Sequence, residues 1–458
     1  MFHDLILLFI AILIVWFAGA CVLFIAFNNP LSLWEFAGFS YIIGGGIVWL
    51  LLYSSSLTVG YFSMLFVFVF IAVASILALV LWLKGKRIQW KYSGFETGPL
   101  RYYEYLLIVL ILFIIVAIVS EGIFGEPGWD AVFTYGFVAK SFFVSNRIDM
   151  GFLTDAARYG YVHPDYPFLF SALIYWCYRI IGTDNNQIIQ LITVGYYIAL
   201  TGIFYGSIRD RVSRPVALLS LATILYNPAI LYDTVRGEAD IIVAVYLLGV
   251  LILYAKFKQS PSMNMAVMLG ILTGFLANIK NEGFVFFVIF SFVFMFTSRI
   301  PWKARIYYFI ASALLSLPWF ITKLLYGIRS DLFINVASQI MMIKERLPVL
   351  FVYYYYFFTG KSLLTVGSGL LWLIILIGFI TTLSFKTIKE RYLSAWLPFV
   401  LLFIVYSLVY IMTPHGTAWQ IEYSIPRTMS HFIPSLMWLS TLVIGERYIK
   451  QQNTRAFT

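Results

Sequence analysis

The stretch "YYEYLLIVLILFIIVAIVSEGIFGEPGWD" (residues 102–130) carries the pattern that decides the fold. Its apolar run is long enough to cross a bilayer, since a spanning helix needs about 20 predominantly apolar residues. The run then ends in glycines and in three acids, Glu121, Glu126 and Asp130. Apolar runs of this kind recur along the whole chain. They predict a bundle of membrane-spanning helices, with carboxylates placed where the chain leaves the membrane.

The composition indicates a membrane protein. Of the 458 residues, 62% are hydrophobic and 11% are charged, whereas soluble domains carry about 25% charged residues. The mean hydropathy is +0.89. A membrane β-barrel would show short alternating segments instead of long apolar runs, so we expect an all-α, polytopic transmembrane bundle. Cys21 and Cys177 both lie in apolar segments, and we expect no structural disulfide.

Charge placement predicts the topology. The net charge of +10 comes from basic residues in short loops, which is typical of cytoplasmic loops near anionic lipid and does not indicate a nucleic-acid partner. About 13 crossings follow from the apolar runs, with the C-terminus inside and the N-terminus outside. Residues 167–181 and 352–358 are apolar but too short to cross. The predicted cytoplasmic segments are 84–91, 209–214, 256–258, 299–305, 386–391 and 447–455.

We divide the chain into N-terminal transmembrane helices (1–102), a transmembrane module (103–448) and a cytoplasmic tail (449–458). The module includes two outer loops, 121–165 and 327–348. Apolar residues at helical spacing predict an amphipathic helix over 130–146, either in the membrane interface or covering the bundle. We interpret the glycines at 44–46 as a site of close helix packing.

Charged residues gather at the predicted outer ends of the helices. Such charges are costly in a membrane unless they face water, a partner or a ligand. A shared outer cavity with both signs would suit a substrate with a reacting hydroxyl and an anionic phosphate. We expect Glu121, Asp233 and Arg329 to be ordinary interfacial charges. The four groups are Glu121, Glu126 and Asp130; Asp233, Arg236, Glu238 and Asp240; Lys280 and Glu282; and His415, Glu422, Arg427 and His431.

Five motifs in this order resemble the landmarks of GT-C glycosyltransferases: "GWDAVFTYGFVAKSFF", "HPDYPFLFSALIYWCYRIIG", "GEADIIVAVYLL", "GFLANIKNEGF" and "PRTMSHFIP". The resemblance covers residues 121–448. It is closest to bacterial members related to protein O-mannosyltransferases and lipid A sugar transferases, which use a polyprenyl-phosphate sugar on the outer or lumenal face. Two departures stand out. Three apolar segments precede the helix leading to Asp130, and Ala131 stands where some relatives have a second acid for a metal site.

The resemblance implies roles for particular residues. Asp130 would be the general base of an inverting transfer, because a phosphate leaves without help from a general acid. A second acidic site falls on Glu238 or Asp240, with Asp240 the better match because it stands at a helix start. Arg427, Lys280 and Arg236, in that order, would hold the donor phosphate. Possible further substrate contacts are His163, Asp165, Tyr166, Glu282 and His431.

The implied partners are a polyprenyl-phosphate-sugar donor, resembling dolichyl-phosphate mannose, membrane lipids, and a lipid, glycan or protein acceptor with a hydroxyl or amine. The implied location is the bacterial cytoplasmic (inner) membrane, with the active site on its outer face and a role in the cell envelope. We expect no cofactor. A divalent metal is not favoured, because the spacing of His163, His415 and His431 matches no zinc motif.

Two other functions remain open. A lipid-linked sugar transporter, or flippase, would also be basic and polytopic, but it predicts charges near the bilayer midplane and internal repeats. An O-antigen-type polymerase or ligase would place its main functional loop late in the chain, and the 327–348 loop keeps that alternative open. In a glycosyltransferase the same loop would select the acceptor.

Overall fold

The computed structural model describes residues 2–28, 30–90, 98–148, 151, 163–298, 300–328, 341–361, 368–412 and 417–456. In these ranges the chain is helical and forms no strand beyond an isolated bridge between Leu31 and Trp90. The first helices are α1 (Phe2–Ala26), α2 (Leu33–Val59), α3 (Met64–Leu83), α4 (Tyr102–Phe124), a π-helical segment (Ala131–Gly136), α5 (Phe137–Ser145), α6 (Leu169–Ile181), α7 (Ile188–Ile208), α8 (Arg214–Leu225) and α9 (Pro228–Val235). The remaining helices are α10 (Ala239–Gln259), α11 (Met263–Leu276), α12 (Asn281–Phe296), α13 (Trp302–Tyr326), α14 (Ile343–Phe358), α15 (Gly369–Ser384), α16 (Lys386–Met412), α17 (Thr417–Ser430) and α18 (Ile433–Ala456).

The protein has transmembrane helices. Eight helices of the described ranges are long and apolar enough to cross a membrane, or nine if the bent pair α8–α9 is one span. Other apolar helices are shorter: the 131–145 segment, α6, α11, α12 and α15. A helix of 16 residues extends about 24 Å, less than the roughly 30 Å of a bilayer core. The structure therefore does not confirm the predicted count of about 13 crossings.

The predicted basic loops meet at one end of the bundle, which we call the basic end. Lys86 Nζ donates to Ile25 O at 2.7 Å, and Lys258 Nζ donates to Arg391 O at 2.7 Å. Buried ion pairs join further elements there: Arg214 with Glu104 at 2.7 Å and Lys256 with Glu35 at 2.5 Å. The opposite end, which we call the site end, holds Asp130, Glu238, Lys280 and Arg427. This separation agrees with the charge-derived arrangement of the loops.

Helix α6 has both of its ends at the site end. Its first backbone N–H, from Leu169, donates to Asn278 O at 2.9 Å, and Tyr178 near its last turn donates to Asn186 at 3.0 Å. Since α7 starts at Ile188 on the same end, α6 does not traverse the bundle, as predicted for residues 167–181. Residues 352–358 form the last part of α14, which is 16 residues long.

The N-terminal helices share one core with the rest of the chain. A single cluster of buried apolar side chains extends from Leu8 to Val443, and α2 packs against α1, α6 and α7. The predicted close packing at residues 44–46 is confirmed. A Cβ on Gly44 would lie 1.8 Å from Val15 O, and one on Gly19 would lie 1.9 Å from Ser40 O.

Two predicted segments differ from the structure. Part of the 327–348 loop is helical, because α14 begins at Ile343, and Arg346 is buried with its guanidinium donating to Ile411 O at 2.8 Å. Arg346 is therefore not an exposed residue for acceptor selection, whereas Arg329 and the rest of 329–340 lie outside the described residues. The predicted tail from residue 449 continues α18 as far as Ala456.

Candidate functional site

Arg427 is the centre of a charged cluster at the site end. One of its guanidinium nitrogens, Nη2, lies 2.7 Å from Asp130 Oδ2, 2.8 Å from Asp240 Oδ2 and 3.1 Å from Glu238 Oε2. Arg427 belongs to the last turn of α17, whereas the three acids come from chain segments far earlier in the sequence. The fold thus brings together the residues that the sequence predicted as base, second acidic site and phosphate ligand.

A tight turn positions Asp130. Gly128 N–H donates to Arg236 O at 2.6 Å, which attaches the Pro-Gly-Trp-Asp turn to the α9–α10 connection. A Cβ on Gly128 would lie 2.4 Å from Glu238 Oε1 and 3.0 Å from Arg236 O, so a larger residue here would displace the Glu238 carboxylate. Asp130 directly precedes the π-helical segment Ala131–Gly136. Such segments are rare and occur frequently at functional sites. The predicted amphipathic helix over 130–146 is therefore helical, but it begins with this irregular turn.

Glu238 and Asp240 are placed by the start of α10. Glu238 occupies the N-cap position and Asp240 lies in the first turn, where the helix dipole favours negative charge. Gly237 precedes them with a φ of 72°, a left-handed conformation that glycine adopts readily. Both acids reach Arg427, so the second acidic site comprises the two residues together and not one of them.

Lys280 adds a second cation to the cluster. It lies in the turn between α11 and α12, and its Nζ is 2.8 Å from Asp240 Oδ1 and 3.5 Å from Glu282 Oε1. The turn is held by Asn278, whose side-chain amide donates to Gly274 O at 2.8 Å and to Leu315 O at 2.7 Å. Lys280 is thus an integral part of the cluster and not a lipid anchor at the surface.

His431 contacts the cluster from within the protein. Its Nε2 lies 2.8 Å from Asp240 Oδ1, and its Nδ1 lies 3.0 Å from the hydroxyl of Tyr406 on α16. The side chain is fully buried. This corrects the prediction that His431 contacts the substrate, because a side chain with no exposed surface supports its neighbours instead. Asp233 is fully buried as well, with Ser430 Oγ donating to its Oδ2 at 2.5 Å, so it is not an interfacial surface charge.

The cluster opens toward Asp130 and Arg427. The side chain of Asp240 has 0% of its surface exposed, whereas Asp130 and Arg427 keep 17% and 23%. A ligand entering the site would therefore meet the Asp130 carboxylate and the Arg427 guanidinium first. A carboxylate beside a guanidinium can accept a proton from a hydroxyl and hold an anionic group on neighbouring atoms.

The electrostatic environment separates two of the carboxyl groups. Burial raises the pKa of Asp130, but the positive charges of Arg427 and Lys280 outweigh burial and hold this pKa below its usual value. Burial also raises the pKa of Glu238, to about 7; Arg427 opposes this shift, whereas the Asp130 and Asp240 carboxylates add to it. At neutral pH Asp130 is thus ionised, and Glu238 is close to its titration midpoint.

An aromatic stack borders the cluster beside Lys280. The rings of His163 and Tyr166 are stacked with centroids 4.9 Å apart, and Tyr166 is stacked on Tyr135 at 5.9 Å. Lys280 Nζ lies 5.9 Å from the centre of the Tyr166 ring. His163 and Tyr166 are half-buried, so they remain candidates for contact with a substrate.

Three other predicted contacts have different outcomes. Asp165 is buried and accepts a hydrogen bond from Asn281 Nδ2 at 2.9 Å, so it fastens the 163–168 segment to α12 and does not face a substrate. Arg236 does not reach the three acids; its guanidinium donates to Glu126 O at 3.1 Å. Glu282 is half-buried beside Lys280 and stays a candidate contact.

Sequence reasoning missed Tyr406, Ser430 and Asn281. Tyr406 stands in the mainly apolar run "LLFIVYSLVY" (residues 401–410), and nothing in the sequence pairs it with His431. Ser430 and Asn281 lie inside the quoted motifs "PRTMSHFIP" and "GFLANIKNEGF", and their closeness in sequence to Arg427 and Lys280 is the signal that could have found them. His415 lies outside the described residues.

Among the described residues, no group of three or more His, Cys, Asp or Glu side chains is arranged to hold a metal ion. The Asp130, Glu238 and Asp240 carboxylates point instead to the Arg427 guanidinium. A cation in their midst would have to displace that side chain.

The chain was compared with known proteins at three levels. No family model, no curated protein and no solved structure matches it.

Proposed function

We propose that this chain is an inverting glycosyltransferase of the GT-C type, which moves a sugar from a polyprenyl-phosphate donor to an acceptor hydroxyl or amine. One observation supports the proposal above all: the Arg427 guanidinium lies within 3.1 Å of Asp130, Glu238 and Asp240. The family resemblance assigns these four residues, from sequence alone, to base, acidic site and phosphate ligand. Their convergence is what a transfer site of this type requires.

In the proposed reaction Asp130 is the general base. As the acceptor oxygen attacks the anomeric carbon, its proton passes to the Asp130 carboxylate. The bond from the anomeric carbon to the phosphate oxygen breaks on the opposite face, and its electron pair leaves with the phosphate. Attack and departure on opposite faces invert the anomeric configuration. Arg427, with 23% of its side chain exposed, would bind the departing phosphate, since a guanidinium can hold two phosphate oxygens at once. Lys280, with 4% exposed, would add its positive charge from behind Asp240.

Donor binding would also activate the base. In the structure Arg427 binds Asp130 at 2.7 Å and thereby stabilises its ionised, weakly basic form. A phosphate bound to Arg427 competes for the same guanidinium. Loosening the Arg427–Asp130 ion pair raises the pKa of Asp130 toward its usual value and frees the carboxylate to accept a proton. The base would thus become effective only when the donor is present.

The proposed setting is the bacterial cytoplasmic membrane. Placing the basic end in the cytoplasm follows the positive-inside rule and puts the site end on the outer face. The shorter apolar helices α11, α12 and α15 would then bring the nine spans to 12, close to the expected 13, with the bilayer locally thinned around them. The acceptor would be a lipid, a glycan or a protein, and the reaction as proposed uses no cofactor.

The test compares transfer by wild type, Asp130→Asn and Glu121→Gln in liposomes supplied with labelled polyprenyl-phosphate sugars and a crude acceptor pool. Asp130→Asn keeps the size of the side chain but removes the base, and it should lower the transfer rate about 100-fold or more while donor binding persists. Glu121 is an exposed carboxylate on α4 and serves as the matched control. Transfer by Asp130→Asn at the wild-type rate would refute the role of Asp130.

A lipid-linked sugar transporter is the second candidate. The observation that favours it is the burial of Asp240, which lies in the first turn of the long apolar helix α10 and contacts Lys280 and His431. Buried ionisable groups within transmembrane helices often mark transport or proton pathways. In the same liposomes a transporter would move labelled lipid between leaflets without transfer, and Asp130→Asn would leave that movement unchanged.

A further inference from the structure

His431 and Tyr406 form a hydrogen-bonded pair behind the proposed catalytic cluster. Tyr406 Oη lies 3.0 Å from His431 Nδ1, and His431 Nε2 lies 2.8 Å from Asp240 Oδ1. Tyr406 and His431 are both buried, so neither can touch a sugar or a phosphate directly. Their connection to Arg427 and Lys280 runs through the two oxygens of Asp240.

Asp240 is shared by Lys280, Arg427 and His431. Its Oδ1 receives Lys280 Nζ at 2.8 Å and His431 Nε2 at 2.8 Å, and its Oδ2 receives Arg427 Nη2 at 2.8 Å. A rotation of this carboxylate would therefore displace both candidate phosphate ligands at once. The orientation of Asp240 controls where Arg427 and Lys280 lie.

The hydrogen bonds that His431 makes with Asp240 and Tyr406 determine its tautomer. The Asp240 oxygens act as acceptors toward Lys280 and Arg427, so His431 Nε2 must donate to be bonded to Oδ1. In a neutral imidazole Nδ1 is then an acceptor, and the Tyr406 O–H donates to it. A neutral ring also avoids a third positive charge next to Lys280 and Arg427.

The Tyr406 side chain is itself held rigidly. Its ring stacks on Phe432 with centroids 5.5 Å apart and an interplanar angle of 16°, and Phe432 packs edge-on against Phe399 at 6.0 Å. The Tyr406 hydroxyl is thus held in a fixed position on α16, within hydrogen-bonding distance of His431. This gives the pair the rigidity that a supporting group needs to orient a functional residue.

We propose that Tyr406 and His431 are positioning residues for the transfer reaction, with His431 held as the Nε2–H tautomer so that Asp240 keeps Arg427 and Lys280 in place. The assignment of a role in transfer rests on the proposed function. The two hydrogen bonds of the His431 ring, from Nε2–H to Asp240 and from Tyr406 to Nδ1, are independent of it. Neither residue exchanges a proton with the substrate.

The experiment measures the imidazole nitrogens of His431 by NMR on full-length, ¹⁵N-histidine-labelled protein in lipid nanodiscs. The chain has four histidines, and the signal that disappears in His431→Gln identifies His431. Wild type should show a protonated Nε2 and an unprotonated, hydrogen-bonded Nδ1. Tyr406→Phe should shift the Nδ1 signal, because it removes the hydroxyl that donates to this nitrogen, whereas Nε2 should stay protonated against Asp240.

Tyr354→Phe is the matched control, since it removes another buried tyrosine hydroxyl that bonds to α16, at Ser407 Oγ, 2.8 Å away. It should leave the His431 signals unchanged. Tyr406→Phe should also lower kcat about tenfold, the effect of losing one hydrogen bond in a charged network, with little change in KM for the acceptor.

A protonated Nδ1 in wild type would overturn the proposal. So would His431 signals that do not respond to Tyr406→Phe. Absence of transfer by wild type would count against the proposed function only, because the tautomer is measured without turnover. Normal transfer by Tyr406→Phe despite a shifted Nδ1 signal would refute the positioning role.

Discussion

Arg427 reaches three carboxylates through a single guanidinium nitrogen, and that geometry depends on the planar, delocalised charge of arginine. A lysine at this position would keep the charge but reach fewer oxygens, because its ammonium is a compact point charge on a flexible stem. The negative charges of Asp130, Glu238 and Asp240 would then be balanced less completely by a nearby positive charge. The residue therefore matters for both the charge balance of the site and the proposed phosphate contact.

Arg427→Lys should lower transfer about 100-fold and reduce thermal stability. Breaking a fully buried ion pair costs about 3–5 kcal/mol, and the loss here should be smaller because the Arg427 side chain is only partly buried. The control is Arg391→Lys, at the exposed Arg391–Glu446 pair (2.7 Å) of the basic end, where the effect should be small. Transfer rates and unfolding temperatures of both variants, measured in the same detergent, decide the matter. Equal effects of the two substitutions would contradict the central role of Arg427.

The carboxyl group of Glu238 makes stability depend on pH. Its pKa is raised to about 7 from an ordinary value near 4.5, so between these two pH values the folded protein binds more protons than the unfolded chain. The free energy of unfolding should therefore fall as pH rises from about 4.5 to about 7. Glu238→Gln should flatten this part of the profile, which unfolding at a series of pH values would measure. An unchanged slope would contradict the raised pKa of Glu238.

The residues that the sequence could identify are those whose charge is conspicuous against an apolar background. Asp130, Lys280 and Arg427 were found in this way, and the structure brings them together. Tyr406 could not be found, because its role depends on a neighbour 25 residues away, in the turn between α17 and α18. The sequence also does not show which polar side chains are buried. Asp165 and His431 were predicted to contact the substrate, but each is buried and bonded to a protein side chain.

At the scale of elements, the apolar runs predicted the long helices well. The wrong predictions concern charged segments that are helical in the structure. Helix α14 begins with Lys344, Glu345 and Arg346 in its first turn, and these charges favoured a loop over residues 327–348. Similarly, the basic residues near the C-terminus were interpreted as a tail, whereas α18 continues to Ala456. Helix propensity of lysine, glutamate and arginine is high, so charge alone does not end a helix.

The contact between α1 and α2 gives a prediction for Gly44. Since a Cβ there would lie 1.8 Å from Val15 O, Gly44→Ala must push the two helices apart. Overpacking of this kind costs about 1–3 kcal/mol. Gly98→Ala is the control, because nothing lies within 4 Å of its added Cβ. Thermal unfolding should show a lower transition temperature for Gly44→Ala alone, and equal temperatures for the two variants would contradict the packing of α1 on α2.

At the scale of the whole molecule, charge separation between the two ends predicts the orientation. Glu126 at the site end and Lys389 at the basic end are both exposed, so cysteines placed there report on opposite faces once Cys21 and Cys177 are replaced by alanine. A membrane-impermeant maleimide applied to spheroplasts should label Glu126→Cys at once and Lys389→Cys only after permeabilisation. The reverse pattern would place the site in the cytoplasm and contradict the proposed donor side.

Whole-molecule features were predictable only in part. The grouping of basic loops at one end follows from the sequence, because membrane insertion sorts lysine and arginine to one side. The number of crossings does not follow as directly. Helices α11 and α12 are short because a turn carrying Asn278, Lys280 and Asn281 is folded into the site end, and the length of an apolar run does not show where such a turn interrupts the bundle.

The most direct test of the account is the anomeric configuration of the product. Wild-type protein in liposomes would receive a polyprenyl-phosphate sugar of known configuration, and the configuration of the transferred sugar would be determined by NMR. One carboxylate base at Asp130 and a departing phosphate on the opposite face predict inversion. Retention would require a covalent sugar–enzyme intermediate or a different mode of attack, and it would contradict the single-base mechanism at the Asp130–Arg427 cluster.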